Sequence, residues 1–281
     1  MSNPKIKQIK VFILLDLNIN LKQGECFMGD NYLKFNDVNF NYFTKESEFE
    51  AIKNLTFNIK KSEFVSIVGP SGCGKTTILS LIAGLYEATS GQILLDGKDI
   101  KGANIGYMFQ RDHLFEWRTI YKNIVLGLEI MNKNKKENPE KEIDEMLKKY
   151  GLYDFKHKHP SQLSGGMRQR VALLRTLIVK PKLLLLDEPF SALDFQTRLD
   201  VCDNVKEIIN EEKQTAILVT HDISEAISLS DRIFILSKRP ATLKTIVELE
   251  FDKKLSPLQR RDDSKFSSYF NKIWKELSYE K

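Results

Sequence analysis

The chain has 281 residues, 42 % apolar and 29 % charged, with 43 basic and 38 acidic side chains for a net charge of +5. This mixed, mildly basic balance fits a globular protein with a sizeable core, and no dense basic stripe with interleaved aromatics marks a nucleic-acid partner. Three widely spaced cysteines (Cys26, Cys73, Cys202) suggest neither a disulfide framework nor a metal site, and no apolar run reaches the roughly 18–20 residues that span a bilayer.

In chain order, Val11–Leu15 (VFILL) follows several lysines but is broken by Asp16, with no small-residue cleavage site after it. It is not a signal peptide, and the chain is expected in the cytoplasm. Residues 1–30 read as an extension carrying one added strand. Asp16–Glu25 echoes Asn54–Glu63 in apolar alternation, but no second glycine-rich loop follows it, so it is an edge hairpin or a coincidence.

Asn54–Gly69 alternates at Leu55, Phe57 and Ile59 and then becomes nearly continuously apolar, which predicts a half-buried strand followed by a buried one. Thr76–Leu85 predicts a buried helix, and GQILLDG and NIGYMFQ predict short strands. Ile143, Met146, Leu147 and Tyr150 share one helical face. His157 and His159 sit in a polar stretch read as a solvated turn. Ser164 can cap a helix running through MRQRVALLRTLIV. Lys182–Pro189, Thr215–Asp222 and Arg232–Ser237 predict buried strands separated by helices. Apolar strands alternating with helices imply a mostly parallel sheet covered on both faces, hence an α/β fold. Residues 112–178 read as a separate helical lobe. The last forty residues are polar and lysine-rich, with FNKIWKEL the only helix-like piece.

Two stretches carry chemistry. Gly69–Thr77 (GPSGCGKTT) fits the glycine-rich phosphate loop between a strand and a helix. Gly69, Pro70, Ser71, Gly72, Cys73 and Gly74 form a loop whose N–H groups can wrap a phosphate; Lys75 brings a mobile charge to the β- and γ-phosphates, and the Thr76 hydroxyl suits Mg2+. Thr77 completes the motif, and Cys73 is either small filler or a redox-sensitive thiol. LLLLDEP supplies Asp187 to hold the metal and Glu188 to orient or deprotonate water, the division of labour that phosphoryl transfer requires. LSGGMRQR places two glycines at a helix start, where free N–H groups and the helix dipole favour an anion.

The phosphate loop, LSGGMRQR and LLLLDEP, in that order, resemble the nucleotide-binding subunit of an ABC transporter over residues 31–240, with 1–30 as an extension and 241–281 as a short tail. The resemblance implies a P-loop NTPase (RecA-like) core, an antiparallel β edge subdomain and a helical signature subdomain at about 112–178. It implies ATP and Mg2+ as ligands, with Gln110 as the metal- and water-sensing glutamine, Asp194 of SALD in the interface loop and His221 as the γ-phosphate switch. Tyr42 is the base-stacking aromatic, with Phe43 or Phe40 as alternatives and an edge-strand packing role also open. It further implies a head-to-tail homodimer in which Ser164, Gly165 and Gly166 of one copy face the γ-phosphate held by the other. Membrane permease subunits and, indirectly, an extracytoplasmic binding protein are the implied partners, at the cytoplasmic face of the cell membrane.

RDHLFEWRTIYKNIVLGLE and the SKRPA after the last strand resemble the nitrate/sulfonate/taurine importer group, which includes importers of thiamine precursors; Glu116 stands where that group has proline. Phe115 and Trp117 are candidate docking residues for the permease, or else pack the lobe core. A ribosome- or DNA-directed ABC ATPase is the rival reading, although such chains usually carry two cassettes or a long coiled-coil insertion.

Overall fold

The apolar run Phe64–Val68 becomes β3, buried along its whole length. It lies inside a six-stranded sheet because every neighbour is as apolar as itself. This computed structural model describes residues 31–43, 47–131 and 139–278; the expected N-terminal extension, its echo and Cys26 lie outside them. In chain order the elements are β1 (Leu33–Phe43), β2 (Glu48–Ile59), β3 (Phe64–Val68), α1 (Lys75–Ile82), β4 (Ser90–Leu95), β5 (Lys98–Asp99) and β6 (Ile105–Met108). There follow α2 (Ile120–Ile130), α3 (Pro139–Lys149), α4 (Gly165–Leu177), β7 (Leu183–Asp187), α5 (Phe195–Glu211), β8 (Ala216–Val219), α6 (Ile223–Leu229) and β9 (Arg232–Leu236). The chain closes with β10 (Leu243–Glu248), α7 (Pro257–Asp262) and α8 (Ser264–Ser278).

The large sheet runs β10-β9-β3-β8-β7-β6, parallel except for β10. A second, antiparallel sheet runs β2-β1-β4-β5. Phe35, Phe57 and Ile59 of that small sheet pack with α1 and with Ile67, Leu185 and Phe234 of the large one. On the opposite face, Leu184, Leu186 and Leu218 pack against α2, α4 and α5. Leucines alternate between the two clusters along β7, the strand periodicity of two.

All parallel strands end on one edge, and the loops after β3, β6, β7 and β8 carry the candidate site residues there. Ligand crevices of open α/β sheets lie at such an edge.

Residues 242–278 carry more regular structure than their polar composition suggests. β10 extends the sheet through β9, and α8 buries Ile273 completely. Helix α7 starts at a capping box in which Ser256 accepts from the Gln259 N–H and Gln259 reciprocates, with Pro257 at the first helical position. Arg260, only 5 % exposed, donates to the carbonyls of Ser228 and Ser230 at 3.3 and 2.8 Å, fixing α7 to the end of α6. Neither α7 nor β10 was anticipated from sequence; the strand buries little and irregularly, so no clean alternation marks it.

Candidate functional site

The phosphate loop leaves β3 at Gly69 and enters α1 at Lys75. Gly72 and Gly74 have φ of +71° and +123°, which only glycine adopts without strain. A Cβ on Gly74 would also meet the Ala51 carbonyl at 3.3 Å, so the loop is seated directly against β2. Lys75 folds back over the loop and donates to the carbonyls of Gly69 and Pro70 at 2.9 and 3.0 Å. Cys73 is 1 % exposed, which supports its role as filler under the loop rather than as an accessible thiol.

Beside the loop, β7 ends at Asp187, whose Oδ1 is 3.5 Å from the Thr76 hydroxyl. Burial pushes the Asp187 carboxyl up, reinforced by Glu188, while a hydrogen bond from Tyr107 opposes the shift. Tyr107 Oη donates to Asp187 Oδ2 at 2.9 Å, and burial together with that carboxylate raises the phenol in turn. Tyr107 was missed from sequence; its signal is its register on β6, opposite Leu185 and thus beside the end of β7.

Glu188 has φ of +46°, a left-handed conformation that is costly for a non-glycine residue. That turn aims the carboxylate at the end of β8, where His221 Nδ1 lies 3.2 Å from Oε2. Gln110 reaches the same turn indirectly: its Nε2 donates to Ser191 Oγ at 3.1 Å, and Ser191 Oγ donates to the Glu188 carbonyl at 3.0 Å. Asp194 caps α5, accepting from the Thr197 N–H at 3.0 Å, and that bonding holds its carboxyl below the usual range.

The three candidate aromatics separate by environment. Phe40 is 7 % exposed in the core, Phe43 is 68 % exposed at the strand end, and Tyr42 is half-buried with its hydroxyl 3.0 Å from Thr77 Oγ1. Phe49 and Tyr86 flank Tyr42 at ring distances of 5.1 and 5.7 Å.

Ser164 caps α4 by accepting from the Met167 N–H at 3.3 Å. Its two glycines answer to packing as well as to any ligand. A Cβ on Gly165 would meet Leu193 at 3.0 Å, and one on Gly166 would meet Val201 at 2.8 Å and Thr197 at 3.2 Å. The same helix grips the segment after Gln110. Arg168 donates to both oxygens of Asp112 at 2.7 and 3.1 Å and reaches Glu116 at 2.7 Å. Burial alone would push Asp112 up, but Arg168 and the Leu114 N–H outweigh it and hold the carboxyl low. Glu116, the departure from the importer-group proline, is thus a partner of the LSGGMRQR helix. Trp117 is 76 % exposed and stands over Phe115 at 4.8 Å, so it does not pack the lobe core.

Comparison with known proteins gives this geometry a family. The family model described as ABC transporter matches residues 52–191. YtlC of Bacillus subtilis (strain 168), whose name is uncharacterized ABC transporter ATP-binding protein, is 45 % identical over 251 residues, 88 % of this chain and 96 % of the relative. The chain belongs to the ABC transporter family.

Another relative is SsuB of Bacillus cereus (strain ZK / E33L), an aliphatic sulfonates import ATP-binding protein, 37 % identical over 85 % of this chain and 93 % of that one. Among solved structures, the ATP-binding cassette MJ0796, a dimer in a post-hydrolysis state with ADP and Pi, superposes with a TM-score of 0.65 at 33 % identity, covering 78 % of this chain and all of that one. The protein is therefore an ABC ATPase subunit with a P-loop NTPase fold. No helix among the described residues is long and apolar enough to cross a membrane.

Proposed function

We propose that this ABC ATPase powers a membrane importer for a small organic ion, such as a sulfonate, nitrate, taurine or a thiamine precursor. The observation that carries the catalytic part is the Glu188–His221 pair beside the phosphate loop, with Glu188 held in a strained backbone conformation. The importer reading draws on the sulfonate-import relative and on the SKRPA segment.

In this reading Tyr42 stacks on adenine. The loop Gly69–Gly74 wraps the phosphates with its N–H groups, and Lys75 exchanges its loop carbonyls for phosphate oxygens. The donor set fits a hard divalent cation: a half-buried carboxylate pushed up by burial and by the neighbouring Glu188, a hydroxyl and an amide oxygen, all oxygen ligands. Thr76, Asp187 and Gln110 would hold Mg2+, which neutralises charge between the phosphates when bound. Glu188 orients the attacking water and accepts its proton, while His221 contacts the γ-phosphate; ATP and water become ADP and phosphate.

Two copies pair head to tail, the Ser164–Gly166 helix start of one completing the γ-phosphate site of the other, with Asp194 at the seam. The dimer sits on permease subunits at the cytoplasmic face of the cell membrane, fed by an extracytoplasmic binding protein.

Glu188→Gln tests the engine. It keeps a polar group beside His221 but removes the base, so hydrolysis falls at least about a hundredfold while the protein elutes as a dimer with saturating MgATP. A variant that stays monomeric under those conditions overturns the pairing. Purification of the tagged native protein in mild detergent tests the setting: a multi-span permease with a secreted binding protein supports import, whereas ribosomal or DNA-repair proteins in their place would establish the rival.

A further inference from the structure

The Ser237–Ala241 turn after β9 (SKRPA) has so far served only as a mark of group resemblance, yet side-chain and backbone hydrogen bonds fix it. Ser237 Oγ lies 2.9 Å from the Lys238 carbonyl and 3.2 Å from that of Pro240, and it accepts from the Thr242 N–H at 2.9 Å. The Ser237 N–H donates to the Thr242 carbonyl at 3.0 Å, closing the turn. Ala241 then joins the antiparallel sheet: its N–H donates to Ala51 at 2.9 Å, and its carbonyl accepts from Lys53 at 3.0 Å.

Arg239 projects from between these anchors and returns to the phosphate loop. Its Nη2 donates to the Gly72 carbonyl at 2.8 Å, and its guanidinium lies 5.0 Å from the centre of the Phe49 ring. Phe49 packs on Tyr42 at 5.1 Å, and Tyr42 Oη is 3.0 Å from Thr77 Oγ1 in the first turn of α1. A closed ring of contacts therefore runs from Gly72 through Arg239, Phe49 and Tyr42 to Thr77, joining the middle of the phosphate loop to the first turn of α1 through the aromatics of the edge sheet.

A loop that grips phosphate with its N–H groups must turn its carbonyls outward, where each needs a partner or water. Gly72 sits at φ +71°, and glycine crosses between left- and right-handed backbone almost freely. The Gly72–Cys73 peptide is held at both ends: the Cys73 N–H donates to the Pro70 carbonyl at 3.3 Å inside the loop, and in a trans peptide the Gly72 oxygen then points the opposite way, out to Arg239. The Phe49 face limits where that cation can go.

We propose that Arg239 is a positioning residue for nucleotide binding: it fixes the Gly72–Cys73 peptide, and with it the turn of the phosphate loop, and couples that turn to the Tyr42–Phe49 face, so that base and phosphate are recognised as one unit. The inference rests on ATP as the ligand and on Tyr42 as its base-stacking residue.

The test is a double-mutant cycle in the full-length chain, reading the Kd of a non-hydrolysable ATP analogue with Mg2+, together with KM and kcat for ATP. Arg239→Ala is expected to weaken analogue binding about tenfold and to raise KM in step, with kcat changed by less than about twofold, the pattern of uniform binding loss. Arg239→Lys keeps the charge without the planar fork and recovers only part of the affinity. In a Tyr42→Ala background the Arg239→Ala effect shrinks to about threefold or less, because the ring is already open. A purely structural role instead lowers the melting temperature and leaves Kd and KM of the folded protein at their wild-type values; that result, or full additivity with Tyr42→Ala, overturns the proposal. Should Arg239→Ala not fold, Arg239→Lys and Arg239→Gln carry the same comparison. Wild-type protein that fails to bind the analogue defeats the ATP reading and this inference together. Wild-type binding matched by every Arg239 variant defeats this inference alone.

Discussion

Replacing Gly166 by alanine isolates the packing demand on the LSGGMRQR helix start. Gly166 is buried at the second position of α4, and its φ is not positive, so an alanine there suffers no backbone penalty. What it meets is steric: an added Cβ would lie 2.8 Å from Val201 Cγ2 and 3.2 Å from Thr197 Cγ2, both on α5. β-Branched side chains in a helix have little rotamer freedom with which to yield, so α4 or α5 must shift.

Overpacking of this kind costs about 1–3 kcal/mol, against which alanine regains up to about 1 kcal/mol of helix propensity, less in a first turn. The net expectation is a loss of about 1–2 kcal/mol, or about 2–4 °C in melting temperature for a chain of this size. Equilibrium urea unfolding of wild type, Gly166→Ala, Val201→Ala and the double variant measures it. Val201→Ala leaves space that the new methyl fills, so the double variant should be more stable than the sum of the single effects by about 1 kcal/mol. A Gly166→Ala protein at least as stable as wild type, or strict additivity, would refute the steric argument and leave ligand approach as the sole reason for that glycine.

Two other substitutions probe features away from the phosphate loop. Lys206 is 7 % exposed, and burial drops its amine to about 8, with Arg260 adding to the shift and Asp231 opposing it; the amine also lies 4.6 Å from the Phe64 ring centre. A lysine depressed on folding binds fewer protons native than unfolded between about pH 8 and its unfolded value of about 10.4, so stability contributed at this site rises with pH through that window. Lys206→Met should flatten the rise, read as the difference between the two proteins' unfolding free energies at pH 7, 8.5 and 10; a constant difference would show that the amine is not held low. Trp117→Ala removes a side chain that is 76 % exposed, so unfolding free energy and nucleotide-binding free energy should stay within about 0.5 kcal/mol of wild type while co-purification with the proposed permease drops. Joint loss of stability and nucleotide binding would instead mean that Trp117 serves the fold.

Much of the site was legible in the sequence because its parts are local. A glycine-rich loop between a strand and a helix, a leucine-rich strand ending in two acids, and Ser164 before a helical run each follow from backbone preference and periodicity within a few residues. The same locality explains the strands predicted within Asn54–Gly69, Lys182–Pro189 and Thr215–Asp222, whose apolar runs form strands at Phe64–Val68, Leu183–Asp187 and Ala216–Val219.

Tertiary structure alone decided which of these parts touch. Strand order β9-β3-β8-β7-β6 sets the ends of five parallel strands side by side, and from that follow His221 against Glu188, Tyr107 against Asp187 across 80 residues of chain, and Arg239 against Gly72 across 167. No periodicity encodes such pairs, because they depend on the order in which strands are added to the sheet rather than on any one strand's sequence. The left-handed turn at Glu188 belongs with them: nothing in DEP asks for it locally, and it persists because β7, the Val219 carbonyl bonded to the Glu188 N–H at 2.9 Å, and Ser191 hold it from three sides.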